Sequence, residues 1–174
     1  MTLSRRNVLK GGALMAAGVV TGTASLLAQS QPAAPQPSQN KIPDRGPRLD
    51  SDLVRQFVIA GHGNLDVVKE MLAQQPALIN ATWDWGGGDW ETALGGASHM
   101  GNKPIAEYLL AHGARMDVFC STMLGKTEIV KAFLADDLKV VDLKGPHGIP
   151  LVRHAQAGKQ EALVEMLVAA GAKI

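Results

Sequence analysis

A glycine followed by apolar residues four, five, eight and nine positions later occurs four times in this 174-residue chain. The four copies begin at Gly63, Gly101, Gly125 and Gly158. On an α-helix these positions fall on one side, so each copy predicts an amphipathic helix with one buried face. Four helices in the same register form an internal repeat, which predicts a fold of stacked units.

A second, shorter helix is expected just before each of these glycines. The residue three positions before the glycine is small in every copy, as the close approach of two helices requires. These residues are Ala60, Ser98, Thr122 and Ala155. Each unit is therefore predicted to be a helix, a tight turn at the glycine and a longer second helix. Stacking about four such units gives an all-α domain over residues 51–174.

Two of these units resemble ankyrin repeats. One contains Thr92-Ala93-Leu94, Gly101, Ile105-Ala106, Leu109-Leu110 and Gly113-Ala114, and the other contains Gly148-Ile149-Pro150-Leu151, Ala155, Gly158 and Gly171-Ala172. The resemblance extends over residues 50–174. It implies an ankyrin-repeat solenoid of about four helix-turn-helix units with short hairpin loops. It also implies a binding function, since ankyrin arrays act through the concave surface of their hairpins and inner helices, usually on other proteins.

The spacing of the units departs from a regular repeat. Successive glycines are 38, 24 and 33 residues apart, and only the last distance matches the usual ankyrin period. The extra residues lie in a tryptophan-rich loop at 82–91, whereas about nine residues are missing after Ala114. We therefore expect one enlarged hairpin and one absent hairpin, with a notch at the absent one. Trp90 and His147 occupy the same repeat position, so we expect them to face each other across this notch.

The N-terminal region reads as an export signal followed by a tether. Ser4–Lys10, with the pair Arg5 and Arg6, resembles the twin-arginine signal, and a mildly apolar stretch follows it. Residues 1–28 are accordingly predicted to be a signal peptide that directs the folded protein to the periplasm or the outside of the cell. Residues 29–50 contain five of the nine prolines and few large apolar side chains, which predicts a disordered Pro/Gln-rich linker.

The charge of the remaining chain gives no support for a nucleic-acid partner. Three of the 17 Lys and Arg residues lie within residues 1–28, which leaves 14 basic against 16 acidic side chains. We expect no nucleic-acid partner, no membrane association after signal cleavage, and a monomer. The single cysteine, Cys120, excludes an intramolecular disulfide, so the fold must rest on packing.

The tryptophan-rich loop is the strongest candidate for a binding surface. Exposed tryptophans supply a large contact area at a small entropic cost, and neighbouring carboxylates could orient a sugar, a peptide or a cation. The residues assigned to this hypothetical surface are Trp83, Trp85, Asp89, Trp90 and His147. The alternative is that the indoles cover the inner helices. We favour this alternative for Trp90 and a binding role for Trp83 and Trp85.

Neither a metal site nor a catalytic site is predicted from local spacing. No two of the five histidines lie four residues apart on one helix with a third ligand nearby. His154 is expected to be a half-buried structural histidine bonded to a neighbouring loop. Cys120 is expected to pack as a small apolar residue, and no cofactor motif occurs.

The sequence thus predicts an exported, non-enzymatic binding module that mediates protein–protein interaction in the bacterial cell envelope, with a partner that is not identified. Two alternatives stay open. One is a small-ligand or carbohydrate receptor that uses the tryptophan-rich loop and the notch. The other is a hydrolase that uses His147, His154 and the acidic residues of the loop.

Overall fold

The computed structural model describes residues 45–174. The predicted signal peptide, with Arg5 and Arg6, and residues 29–44 of the predicted linker lie outside the described residues. Residues 45–50 form neither helix nor strand, although Leu49 already packs against the domain core. Asp50 then caps the first helix, because its carboxylate accepts a 2.9 Å hydrogen bond from the backbone N–H of Leu53.

The described residues are predominantly helical, which confirms the all-α prediction. Their helices are α1 (Ser51–Gly61), α2 (Leu65–Gln74), α3 (Ala93–His99), α4 (Lys103–Ala111), α5 (Val118–Met123), α6 (Thr127–Asp136), α7 (Leu151–Ala157) and α8 (Glu161–Ala169). Short 3-10 helices occur at Pro76–Asn80, Leu138–Asp142 and Pro146–Gly148. One antiparallel hairpin joins β1 (Thr82–Asp84) to β2 (Trp90–Thr92). None of the helices described here is long and apolar enough to cross a membrane.

The helices pack in pairs, and the first helix of each pair packs on the first helix of the next. The pairs are α1 with α2, α3 with α4, α5 with α6, and α7 with α8. Among the first helices, which we call the inner helices, α1 packs on α3, α3 on α5, and α5 on α7. α3 also contacts α7 directly, which a simple linear stack would not produce. The short third unit, with a six-residue α5 and no hairpin before it, accounts for this additional contact.

Glycines allow the backbones of neighbouring inner helices to come into direct contact. A Cβ atom on Gly61 would lie 2.4 Å from the carbonyl oxygen of Ala93 in α3. A Cβ atom on Gly158 would lie 1.9 Å from the carbonyl oxygen of Met123 in α5. Both distances are shorter than any real contact of a Cβ atom, so these two positions require glycine. The small residues predicted three positions before each repeat glycine are likewise buried.

One position of the predicted apolar stripe is buried in all four second helices. It lies five residues after the repeat glycine and holds Val68, Ala106, Val130 and Leu163. The other stripe positions are less uniform. In α6 the side chains of Ile129 and Phe133 are 40% and 45% exposed, although the stripe predicts them to be buried. This one stripe position is therefore buried as predicted, but α6 buries less of its predicted apolar face than the pattern suggests.

Candidate metal centre

The hairpin between the first two helix pairs places one carboxylate inside the domain. Gly86, Gly87 and Gly88 adopt positive φ angles and turn the chain, and Asp84 Oδ1 accepts hydrogen bonds from the N–H groups of Gly86 and Gly88. Successive residues of β2 then point to opposite sides. As a result, Trp90 is 60% exposed while Glu91 is only 1% exposed.

Three imidazole rings surround the Glu91 carboxylate. The Nε2 atom of His99 lies 2.9 Å from Glu91 Oε1, and the Nε2 atoms of His62 and His147 each lie 3.4 Å from Glu91 Oε2. The Nε2 atoms of His62 and His99 are 3.2 Å apart. One potential ligand atom from each of these four residues lies within 4.8 Å of the others. We call the four residues His62, Glu91, His99 and His147 the histidine cluster.

The ligands of the histidine cluster come from a strand, a helix and two connecting segments. His62 directly follows α1, His99 ends α3, and Glu91 lies between them on β2. His147 lies in the loop that leads into α7, with a φ angle of 60°. Both α1 and α7 pack on α3, which brings His62 and His147 towards His99 and the hairpin that precedes α3.

Hydrogen bonds to the opposite ring nitrogens orient two of the imidazoles. His62 Nδ1 lies 3.0 Å from the carbonyl oxygen of Val58, and His147 Nδ1 lies 2.9 Å from Asp89 Oδ2. A carbonyl and a carboxylate only accept, so each Nδ1 carries the proton and donates it. The Nε2 lone pairs are then directed at the cluster, which is the arrangement that metal-binding histidines usually show.

Glu91 is held as an anion despite its burial. Burial by itself would raise the pKa of Glu91, but hydrogen bonds from His99 and Trp85, with the nearby His62 ring, outweigh it and lower the pKa. The indole N–H of Trp85 donates to Glu91 Oε2 over 2.7 Å. The backbone N–H of His147 donates to Asp89 Oδ1 over 2.8 Å and lowers the pKa of Asp89. Both carboxylates are therefore charged at neutral pH.

The dimensions of the histidine cluster fit a small divalent ion. Zinc binds imidazole nitrogen at about 2.0–2.1 Å, which places neighbouring ligand atoms of a tetrahedron about 3.3–3.4 Å apart. The Nε2 atoms of His62 and His99 are 3.2 Å apart, the distances from the three imidazoles to Glu91 are 2.9–3.4 Å, and all four ligand atoms lie within 4.8 Å of one another. The His62 and His147 side chains are 26% and 35% exposed, so an ion can enter from their side.

The structure reverses the expected exposure of the tryptophans. Trp83 and Trp85 were expected on the surface, but both are partly buried and pack against the core. Trp90 was expected to cover the inner helices, but it is 60% exposed. The strand alternation of β1 and β2 explains the reversal, because Trp83 and Glu91 are paired opposite one another while Trp90 precedes the inward residue. The expected exposure of these indoles is therefore wrong, whereas the binding role of Trp83 and Trp85 stays a prediction.

Asp89 and His147 are brought together, whereas Trp90 and His147 are not paired as expected. The residues on either side of Trp90 contact His147 instead: Asp89 through two hydrogen bonds and Glu91 at 3.4 Å. The expected notch is present as a cleft of about 330 Å³. Its lining includes Asp89, Trp90, Asp117, Phe119, Lys144 and Pro146.

His154 and Cys120 are buried and are not members of the histidine cluster. His154 is fully buried rather than half-buried, and its Nδ1 lies 3.1 Å from the carbonyl oxygen of Pro150, at the start of its own helix rather than in a neighbouring loop. Burial lowers the pKa of His154. Cys120 is buried, and burial raises its pKa to about 11. His154 is not among the side chains gathered around Glu91, so the arrangement gives no support to a hydrolase that uses both His147 and His154.

Two members of the histidine cluster, His62 and His99, were not identified from the sequence, whereas Glu91 is one of the loop carboxylates expected to orient a ligand. The search for ligands four residues apart on one helix excludes His62 and His99, since they follow different helices. A signal was available, because His62 and His99 both lie in turns between paired helices. Such turns come together in a stacked repeat, so comparing equivalent turns would have placed these residues side by side.

Comparison with protein-family models and with curated proteins finds no match to this sequence. The chemistry of the histidine cluster and its surroundings is thus the basis on which a function can be argued.

Proposed function

We propose that this protein binds a divalent transition-metal ion through the Nε2 atoms of His62, His99 and His147 and the carboxylate of Glu91. The observation that carries the proposal is the convergence of these four side chains within 4.8 Å. Neutral imidazole is a good ligand for zinc, copper, nickel and iron. A buried carboxylate supplies the negative charge that partly balances such an ion.

The surroundings of the histidine cluster support binding rather than chance proximity. His62 and His147 each donate their remaining ring N–H to an acceptor, and Trp85 holds the Glu91 carboxylate. Groups of this kind orient ligands, and their loss typically weakens metal affinity about 10–100-fold. Four protein ligands around one ion are typical of metal-holding sites, whereas catalytic zinc sites usually have three and a water molecule. This supports a binding function rather than an enzymatic one.

We further propose that the four helix pairs form an ankyrin-like solenoid that is exported in folded form by the twin-arginine pathway to the periplasm or beyond. The packing of successive inner helices and the hairpin before α3 support the first part. The Arg5–Arg6 pair supports the second. In such an array the histidine cluster lies at hairpins and inner-helix ends, the parts through which ankyrin proteins bind.

Calorimetric titration of chelator-treated protein with Zn²⁺ tests the metal proposal. We expect one ion per chain. His99→Gln and His147→Asn should each weaken binding at least tenfold, since each removes one ligand atom. Asparagine tolerates the positive φ angle at position 147 and can still donate to Asp89, so His147→Asn removes little besides Nε2.

His112→Gln is the matched control, because His112 is exposed, directly follows α4, and contacts Tyr108 rather than the histidine cluster. Its affinity should equal that of the wild type. The proposed ligand set would be contradicted if His112→Gln weakened zinc binding as much as His99→Gln does. It would also be contradicted if His99→Gln bound zinc as tightly as the wild type. Absence of any stoichiometric binding would remove the function itself.

A second candidate function is recognition of another protein or a small ligand at the cleft beside Trp90. The exposed indole and the cleft of about 330 Å³ favour it. Pull-down from cell-envelope extract with wild type and Trp90→Ala tests this function. A captured protein that is lost with Trp90→Ala supports it, whereas capture unaffected by Trp90→Ala contradicts a role for the cleft.

A further inference from the structure

We infer that the bound metal couples the folding of two parts of the domain that have separate hydrophobic cores. The inference rests on the proposed metal binding and assigns that ion a structural task. The first core is built from α1–α4 and includes Phe57 and Leu109. The second is built mainly from α6–α8 and includes Leu163 and Leu167. In a repeat array, parts with separate cores tend to unfold separately unless the contacts between them are strong.

The ligands of the histidine cluster come from both parts. His62, Glu91 and His99 belong to the turns and the hairpin of the first part. His147 belongs to the loop that enters α7, in the second part. Any ion that binds all four side chains therefore cross-links the two parts through bonds that the unfolded chain cannot make.

The loop of His147 is suited to transmit this link to α7. Its ends are joined by a hydrogen bond from the Leu151 N–H to the Leu143 carbonyl oxygen of 3.1 Å, and a second bond of 2.9 Å joins Gly145 N–H to the Ile149 carbonyl oxygen. Leu151 is the first residue of α7 and is fully buried. The position of His147 is therefore fixed relative to the second core.

The other connections between the two parts run through the inner helices and one exposed polar pair. α5 bridges the parts, since Cys120 and Met123 belong to the first core and Val118 to the second, and α3 contacts α7 directly. Beside the histidine cluster, His147 makes two exposed hydrogen bonds to Asp89. Exposed pairs of this kind contribute little to stability. A metal bond at the same place joins the second and fourth units directly and compensates for the missing third hairpin.

Hydrogen–deuterium exchange of the full chain, with Zn²⁺ and with chelator, tests the coupling. At a free zinc concentration 100 times the dissociation constant, a fully coupled unit should exchange about 100-fold more slowly. We expect this slowing for the amides of α7 and α8 as well as for those of α1 and α3. In His147→Asn, zinc held by the other three ligands should slow exchange in α1 and α3 but not in α7 and α8. His112→Gln should behave as the wild type.

Two results would overturn the coupling while leaving metal binding intact. One is stoichiometric zinc binding that slows exchange around His62, Glu91 and His99 and leaves α7 and α8 unchanged in the wild type. The other is equal slowing of α7 and α8 in the wild type and in His147→Asn, because the link would then not pass through His147. If no zinc binds, the calorimetric titration already reports the failure of the proposed function, and the coupling falls with it.

Discussion

The first half of the domain (α1–α4) and the second half (α5–α8) use the same inner layer but differ in the outer one. In both halves the inner helices meet at glycines, Gly61 against α3 and Gly158 against α5. In the outer layer, α4 buries Ile105, Ala106 and Leu109, whereas α6 buries only Val130. The difference follows the missing residues after Ala114, since the second half lacks the hairpin that precedes a complete unit.

This difference indicates that the outer helices of the domain are supported less uniformly than the inner helices. Backbone packing of the inner layer depends on small residues and is similar in both halves. Burial of the outer helix depends on a neighbour at the correct distance, and α2 and α4 pack against each other in this way. The second half therefore gains less from burial, and we expect it to depend more on the contacts of His147.

The largest difference in stability loss between the halves is expected at equivalent positions of α4 and α6. These positions lie eight residues after Gly101 and Gly125 and hold Leu109 and Phe133. Leu109 is fully buried and Phe133 is 45% exposed. Leu109→Ala should lower the free energy of unfolding by about 2–5 kcal/mol through lost burial and a cavity. Phe133→Ala should lower it by about 1 kcal/mol or less, despite removing more atoms. Denaturant melts of both variants measure this, and equal losses would break the comparison.

Glycine-to-alanine substitutions in the inner layer should cost a similar amount of stability in both halves. Gly61→Ala and Gly158→Ala each force a Cβ atom against a backbone carbonyl, so each should cost about 3 kcal/mol, at the upper end of the usual range for overpacking. Gly63→Ala is the matched control, because no atom lies within 4 Å of its Cβ position. Thermal melts of the three variants compare them. A cost at Gly158 far below that at Gly61 would mean that the inner layer is not equivalent.

A smaller effect is expected where the hairpin supports the histidine cluster. Trp85→Ala removes packing against the first core and the donor to the buried Glu91 carboxylate, which should cost about 2 kcal/mol. Trp90→Ala removes an exposed indole and should change the melting temperature little. The thermal shifts of the two variants measure the difference. A larger decrease in melting temperature for Trp90→Ala than for Trp85→Ala would indicate that Trp90 is the buried indole, as expected from the sequence.

The smallest effect is an acid sensitivity of the second half. Burial lowers the pKa of His154, so as pH falls the unfolded chain takes up a proton before the folded chain does. His154 therefore contributes stability above the ordinary histidine pKa of about 6.5, and this contribution is lost as pH falls below that value. His154→Asn keeps a donor for the Pro150 carbonyl but does not titrate. Between about pH 6.5 and 5 the wild type should lose more stability than this variant, as urea melts at several pH values would show. Identical pH profiles would contradict it.

The elements of the fold could be predicted from the sequence because helix faces are encoded locally. The stripe after each repeat glycine predicts α2, α4, α6 and α8, and the extra residues at 82–91 predict the hairpin. The site could not be predicted in the same way. His147 and Asp89 are 58 residues apart, and His62 and His99 are 37 apart. The proximity of these residues depends on how the helix pairs pack on one another, and the periodic pattern does not predict the direct contact of α3 with α7.

The most direct measurement of the central claim is X-ray absorption spectroscopy of the zinc-loaded protein. Binding by the histidine cluster predicts four nitrogen or oxygen ligands at about 2.0–2.2 Å, with outer-shell scattering from three imidazole rings. His147→Asn should reduce the scattering to that of two rings. A spectrum of six oxygen ligands, or of one imidazole at most in the wild type, would show that His62, His99, His147 and Glu91 do not hold the metal together.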